Sequence, residues 1–111
     1  MERSLADFVA HFLDSPAKLD IALFYEANPS TMDTPTGIAF RISRPIGESA
    51  KALGELARRG LLRERDLRGG KYVIYSLSEN EAVRKTLREL REAYLASEQE
   101  RAEIHKLAGA R

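Results

Sequence analysis

The chain has 111 residues, which fits one domain with a modest core, and its 43% hydrophobic and 32% charged residues exclude a disordered or collagen-like chain. The absence of cysteine excludes disulfide scaffolds, thiolate metal sites and cysteine nucleophiles. The net charge of +1 hides an uneven distribution: residues 41–75 hold nine basic residues against four acidic ones, a local +5, while the remainder holds nine basic and thirteen acidic.

In chain order, Leu5, Phe8, Val9 and Phe12 recur at helical spacing, which predicts a short amphipathic helix over residues 2–13. Ser15-Pro16 is an N-cap followed by a first-turn proline, and it opens a mostly buried helix, Ala17 to Ala27, carrying Leu19, Ala22, Leu23, Phe24 and Tyr25. Residues 28–33 read as a polar connection. Thr34-Pro35 repeats the cap-then-proline signal before a short helix with Ile38, Ala39 and Ile42 inward, ending near Ser43. Pro45 starts a fourth helix to Arg59, with Ala50, Leu53 and Leu56 inward and Gly60 just past its end.

From Leu61 the period changes. Leu62–Asp66 and Lys71–Leu77 are extended runs around Leu67-Arg68-Gly69-Gly70, whose glycines suit a tight turn, so a β-hairpin with basic flanks is predicted. Ser78 and Glu81 have capping-box spacing, and from Glu79 to Ala108 there is neither Pro nor Gly, which predicts one long helix. At ~1.5 Å per residue it would run about 45 Å, beyond what so small a domain covers. Val83, Leu87, Leu90, Tyr94, Ser97, Arg101 and Ile104 step along it by four and three, as a coiled-coil seam does. The expected architecture is mainly α with a small β-hairpin: one domain over 1–111, comprising an N-terminal helix (1–13), a winged-helix core (15–78) and a C-terminal helix (79–108).

Helix, helix, turn, basic helix and basic hairpin is the plan of a winged helix-turn-helix, in which the second short helix enters the DNA major groove and the hairpin tip reaches the backbone or minor groove. Residues 15–29 (SPAKLDIALFYEANP), 34–62 (TPTGIAFRISRPIGESAKALGELARRGLL) and 63–78 (RERDLRGGKYVIYSLS) resemble the opening helix, helix-turn-helix and wing of the ArsR-like winged-helix regulators. The resemblance covers roughly residues 15–90. It implies a sequence-specific double-stranded DNA-binding regulator, a repressor, with core or cap positions at Ala39, Leu53, Leu56 and Gly60. Its groove-facing positions fall on Arg44, Ile46, Gly47, Glu48 and Lys51 of a recognition helix spanning 45–59, and its wing positions fall on Arg65, Arg68 and Lys71. Ser43 stands in the turn where that family often has Gly.

From the residues themselves, Arg44 and Lys51 lie seven apart and would share a helix face, while Thr34 and Ser49 are short donors suited to phosphate. Glu48 is either an acceptor from cytosine or a helix N-terminal carboxylate favoured by the macrodipole. Arg58 and Arg59 read as helix C-terminal charges. The uncovered stripes of the two terminal helices predict a homodimer through Leu5, Phe8, Phe12, Leu87, Leu90, Tyr94 and Ile104, which would read an imperfect palindrome. The competing class is a winged helix serving as a protein-interaction module or as a nonspecific architectural DNA binder.

No cofactor is expected. His11 and His105 are the only histidines, too few imidazoles for a zinc site by themselves, and no metal ligand set or catalytic constellation is read. No apolar run nears the ~18 residues that span a bilayer, and Glu2, Asp7 and Asp14 break up the N-terminal apolar residues, so a soluble cytoplasmic protein without a membrane partner is expected. The effector, if any, is unknown from sequence.

Overall fold

The computed structural model describes residues 1–109, so the last two residues of the expected 1–111 domain lie outside it. The elements run α1 (Arg3–Phe12), α2 (Pro16–Ala27), β1 (Met32–Asp33), α3 (Pro35–Ile42), α4 (Ile46–Arg58), β2 (Leu62–Leu67), β3 (Tyr72–Leu77), α5 (Glu81–Ala96) and α6 (Glu98–Leu107). The helix starts follow their caps. Ser15 Oγ accepts from the Lys18 amide at 3.2 Å, and Thr34 Oγ1 accepts from the Gly37 amide at 3.2 Å, each with proline at the next position. After α4, Gly60 takes φ +85, the left-handed conformation that a residue with a Cβ resists.

The sheet is antiparallel with strand order β1-β3-β2. The hairpin pairs Leu62 with Leu77 through Leu67 with Tyr72, and its tip turns on positive φ at Arg68, Gly69 and Gly70. Directly paired residues share a face. Leu62, Leu77, Tyr75 and Val73 therefore look inward, while Arg63, Arg65, Leu67, Tyr72 and Ile74 lie on the outer face. Residues 28–33, expected to be connection only, end in a third strand: Met32 pairs with Ser76, and Asp33 with Tyr75. The helix-turn-helix α3–α4 followed by this sheet makes the protein an α+β winged helix.

One contiguous apolar cluster draws on every helix and on the hairpin, with Leu19, Ile21, Tyr25, Ile38, Leu53, Leu56, Leu87, Leu90 and Ile104 fully buried. Tyr25 places its hydroxyl inside and donates to the Tyr75 carbonyl at 2.9 Å, tying α2 to β3. Tyr75 in turn donates to Glu64 at 2.6 Å; burial, with that carboxylate beside it, pushes its phenol up to about 12, so the donor proton stays in place.

The long helix expected over 79–108 is two helices. Ser97 takes an extended backbone (φ −162, ψ 162), and its side chain accepts from the Glu100 amide at 3.1 Å, capping α6. The chain folds back there, so that α6 packs on α5 and α1. The run Ser97-Glu98-Gln99-Glu100 is a capping-box sequence inside an otherwise continuous helical pattern. At the start of α5 the expected cap, Ser78, is displaced by two residues. Asn80 Oδ1 accepts from the amides of Ala82 (2.8 Å) and Val83 (3.3 Å), while Ser78 Oγ accepts from Asn80.

This hairpin of helices corrects the expected dimer seam. Leu5, Leu87, Leu90 and Ile104 are buried within one protomer. Phe8 and Phe12 stack at 5.3 Å and are half covered, and Tyr94, also half-buried, hydrogen-bonds His105 at 2.8 Å between α5 and α6. Leu5, Leu87, Leu90 and Ile104 thus find their cover inside the protomer, while Phe8, Phe12 and Tyr94 are covered only in part.

A buried cation sits at the junction of α2 and α4. Lys18 is 4% exposed and pairs with Asp14 at 2.6 Å and with Glu55. Burial would lower its pKa, but the two carboxylate hydrogen bonds outweigh that and raise it; the same bonds hold Asp14 and Glu55 below their ordinary values. Carboxylates depressed in the fold contribute stability above their unfolded pKa values, and that contribution is lost as pH falls through the folded ones. Lys18, raised, contributes fully below its ordinary pKa of 10.5 and loses the contribution above it. Stability should therefore fall from pH 5 toward pH 3. Lys18→Met should flatten that acid limb while changing stability at pH 7 little, since the carboxylates can rehydrate. Urea melts across this pH range check it: an acid limb as steep in the variant as in the parent would mean that the triad is not its source.

Candidate nucleic-acid interface

The turn of the helix-turn-helix is short and strained. Ser43, the C-cap of α3, lies in the left-handed region at φ 57, ψ 48 with its amide bonded back to α3. Left-handed geometry costs a residue with a Cβ about 1–2 kcal/mol, which is the physical reason glycine suits this place. Arg44 and Pro45 follow, and α4 begins only at Ile46.

Arg44 therefore does not share a helical face with Lys51. It sits in the turn, half-buried, with Nε donating to Asp20 at 2.6 Å and Nη1 to Glu48 at 3.3 Å. Those partners, the Asp20 hydrogen bond foremost, raise its pKa. Arg44 is first of all a brace between α2 and the start of α4. Glu48, in the first turn of α4, accepts that bond where the macrodipole also favours a carboxylate, which matches the helix-terminal reading of this residue. Ser49 is corrected too: it is fully buried, its hydroxyl has no hydrogen-bond partner among the described residues, and no phosphate can reach it from solvent. Thr34 uses its hydroxyl as the α3 cap.

What α4 presents is Ile46, Gly47, Glu48, Lys51 and Arg58, all exposed, with Glu48 paired to Arg44. Gly47, Lys51, Gly54 and Arg58 step by four, three and four residues, so they form one stripe. A methyl on Gly47 would meet nothing within 4 Å. Nothing inside the protein therefore asks for glycine there, although glycine costs a helix about 0.5–1 kcal/mol relative to alanine. Toward the far end of the stripe, an added Cβ on Gly54 would lie 3.4 Å from Arg58 and 3.9 Å from the Tyr75 hydroxyl, so α4 runs directly onto the sheet.

On the wing, Arg65 shares the outer face with Ile74, Arg68 lies over the Tyr72 ring at 5.7 Å, and Lys71 is exposed beside the tip. Among the described residues none of Lys51, Arg58, Arg65, Arg68 or Lys71 makes an ion pair, whereas Arg41, Arg44, Arg63, Arg88 and Arg91 do. Arg58, read from sequence as a helix-end charge, is thus part of this set. Its spacing of seven from Lys51 is the signal that would have found it. Arg59 is otherwise engaged, donating to the His11 carbonyl and stacking over Phe12 at 5.6 Å.

A solved structure from Methanosarcina mazei Go1, described as a possible transcriptional regulator, superposes with a TM-score of 0.58 at 16% identity, covering 81% of this chain and 78% of that one. The likeness is one of fold. Neither a protein-family model nor a curated protein sequence matches the chain.

Among the described residues no helix is long and apolar enough to cross a membrane, and no three His, Asp or Glu side chains gather as a metal ligand set. The histidines have other work. His11 Nδ1 hydrogen-bonds the Asp7 carbonyl at 2.8 Å, and His105 meets Tyr94.

Proposed function

We propose that this protein is a double-stranded DNA-binding transcription regulator of the ArsR-like kind. It places the exposed stripe of α4 in the major groove and the wing on the flanking backbone, and it represses by occupying its operator. The observation that carries the reading is the set Lys51, Arg58, Arg65, Arg68 and Lys71 on α4 and the wing, cations that make no ion pair among the described residues, on a winged-helix frame shared with a solved protein described as a possible transcriptional regulator. Lys51 and Arg58 serve phosphate or guanine edges, and Arg65, Arg68 and Lys71 serve the backbone. The protein acts by binding rather than by catalysis, and a cytoplasmic location goes with that role.

A homodimer on an imperfect palindrome would have to pair through a surface other than Leu5, Leu87, Leu90 and Ile104. The footprint counts copies: one half-site for a single protomer, two about 10 base pairs apart for a two-fold pair. Selection of genomic fragments by the purified protein at near-physiological salt, followed by titration of an enriched duplex against a scrambled one, tests the whole reading. Preference for the enriched duplex by about a thousandfold is expected. Equal binding would favour an architectural role, and no binding a protein-interaction module.

Gly47→Ala separates the demands of the fold from those of the groove. The variant should gain about 0.5 kcal/mol in stability, because the methyl has room and helix propensity improves. It should lose about tenfold in operator affinity, because the added methyl stands between α4 and the groove. Unaltered affinity would remove Gly47 from the contact.

A further inference from the structure

On the flank of the molecule, α2, β3 and α5 enclose a cleft of about 200 Å³ lined by Glu26, Pro29, Leu77, Arg84, Leu87 and Arg88. Its apolar surface is mainly Pro29, which is exposed, with the edges of the nearly buried Leu77 and Leu87 behind it. Its rim is cationic. Arg84 spends only Nε, donating to the Ser78 carbonyl at 2.8 Å, and its two terminal nitrogens make no hydrogen bond among the described residues. Arg88 gives one terminal nitrogen to Glu81 at 2.7 Å. The one carboxylate of the lining, Glu26, is already answered by Arg91 at 2.9 Å. Three guanidiniums thus face two carboxylates, and the spare donors belong to Arg84 and Arg88, four residues apart on one side of α5.

We propose that this cleft is a binding site for a small amphipathic carboxylate, a compact aromatic or short-chain acid. Its apolar body would lie against Pro29 and reach the edges of Leu77 and Leu87, and its carboxylate would be taken by the free edges of Arg84 and Arg88. Size and chemistry agree. A dry cavity of about 150 Å³ holds a benzene ring, and planar guanidinium edges take carboxylates two bonds at a time. A base is disfavoured because both nearby carboxylates already have guanidinium partners, and a wholly polar anion would leave the apolar wall of Pro29 uncovered. The site stands apart from α4 and the wing tip, so it does not depend on the DNA reading.

Benzoate is the probe, with benzyl alcohol and inorganic phosphate as controls, each titrated into the full chain and followed by amide chemical shifts. Saturable shifts are expected for benzoate at Glu26, Leu77 and Leu87, at least tenfold weaker for benzyl alcohol and for phosphate. Arg84→Gln/Arg88→Gln should weaken benzoate at least tenfold while keeping a cooperative melt. If the double variant does not fold, Arg88→Gln, which alters an exposed side chain, should by itself weaken benzoate several-fold. Equal binding of benzyl alcohol, equal binding of phosphate, shifts confined to other surfaces, or full affinity in the variant would each overturn the proposal.

Discussion

Lys51→Ala/Arg58→Ala should weaken operator binding by about a hundredfold near physiological salt and flatten its salt dependence. Each cation that neutralises a phosphate contributes close to −0.9 to the slope of log affinity against log salt. With all five cations of α4 and the wing on phosphates the slope is near −4.5 for one protomer, and removing two gives about −2.7. Both side chains project into solvent from α4 and neither makes an ion pair among the described residues, so stability should stay within about 0.5 kcal/mol of the parent. Arg44→Ala makes an informative contrast. It breaks the bonds to Asp20 and Glu48, so its melting point should drop along with its affinity. Fluorescence anisotropy at four or five salt concentrations reads all three proteins. An unchanged slope in the double variant would place the DNA elsewhere on the surface.

Leu90→Glu should abolish the fold rather than split a dimer. Leu90 has no exposed surface in the protomer; it belongs to the same core cluster as Ile104 of α6. Removing a buried leucine costs about 2–5 kcal/mol, and an unpaired buried carboxylate adds more, which together approach the whole stability of a domain this size. No cooperative melt is expected at 25 °C. Leu95→Glu, five residues on, changes a side chain that is 63% exposed and should melt like the parent. Circular dichroism melts with sedimentation of the same samples decide the matter. A Leu90→Glu protein that stays folded and merely loses mass would mean that α5 pairs between copies instead of with α6.

The elements that were legible in the sequence are those decided by neighbours in the chain. Ser15-Pro16 and Thr34-Pro35 start α2 and α3, Gly60 ends α4, and Gly69-Gly70 turns the wing, because each signal acts through backbone geometry within four residues. The apolar steps of α1 and α5 were also correct as faces. They could not say what covers them, since a stripe looks the same whether its partner is a second copy or the same chain folded back. Ser97, a seam position by its spacing, instead caps α6, so the chain turns back on itself where the run without Pro or Gly predicts one helix. In the candidate site the errors were of another kind. Arg44 is claimed by Asp20, 24 residues earlier, and Ser49 by the core; β1 exists only because β3 offers it an edge. Such pairings depend on tertiary approach, which spacing along one helix does not encode.

Asp33 carries a consequence for how the protein would meet DNA. One of its oxygens accepts from the Thr34 amide at 2.7 Å and the other from Arg41 at 3.3 Å, while its backbone lies in the sheet opposite Tyr75. The carboxylate also packs so closely over Gly37 that no larger residue fits there without moving it. The Asp33 side chain thus ties β1 to α3, and the β1 backbone ties both to β3 of the wing. Under the proposed function, a wing held at one spacing from the helix-turn-helix would leave bending and groove-width adjustment to the duplex, and operator choice would then depend on how easily the base steps between them deform, at positions that no side chain touches.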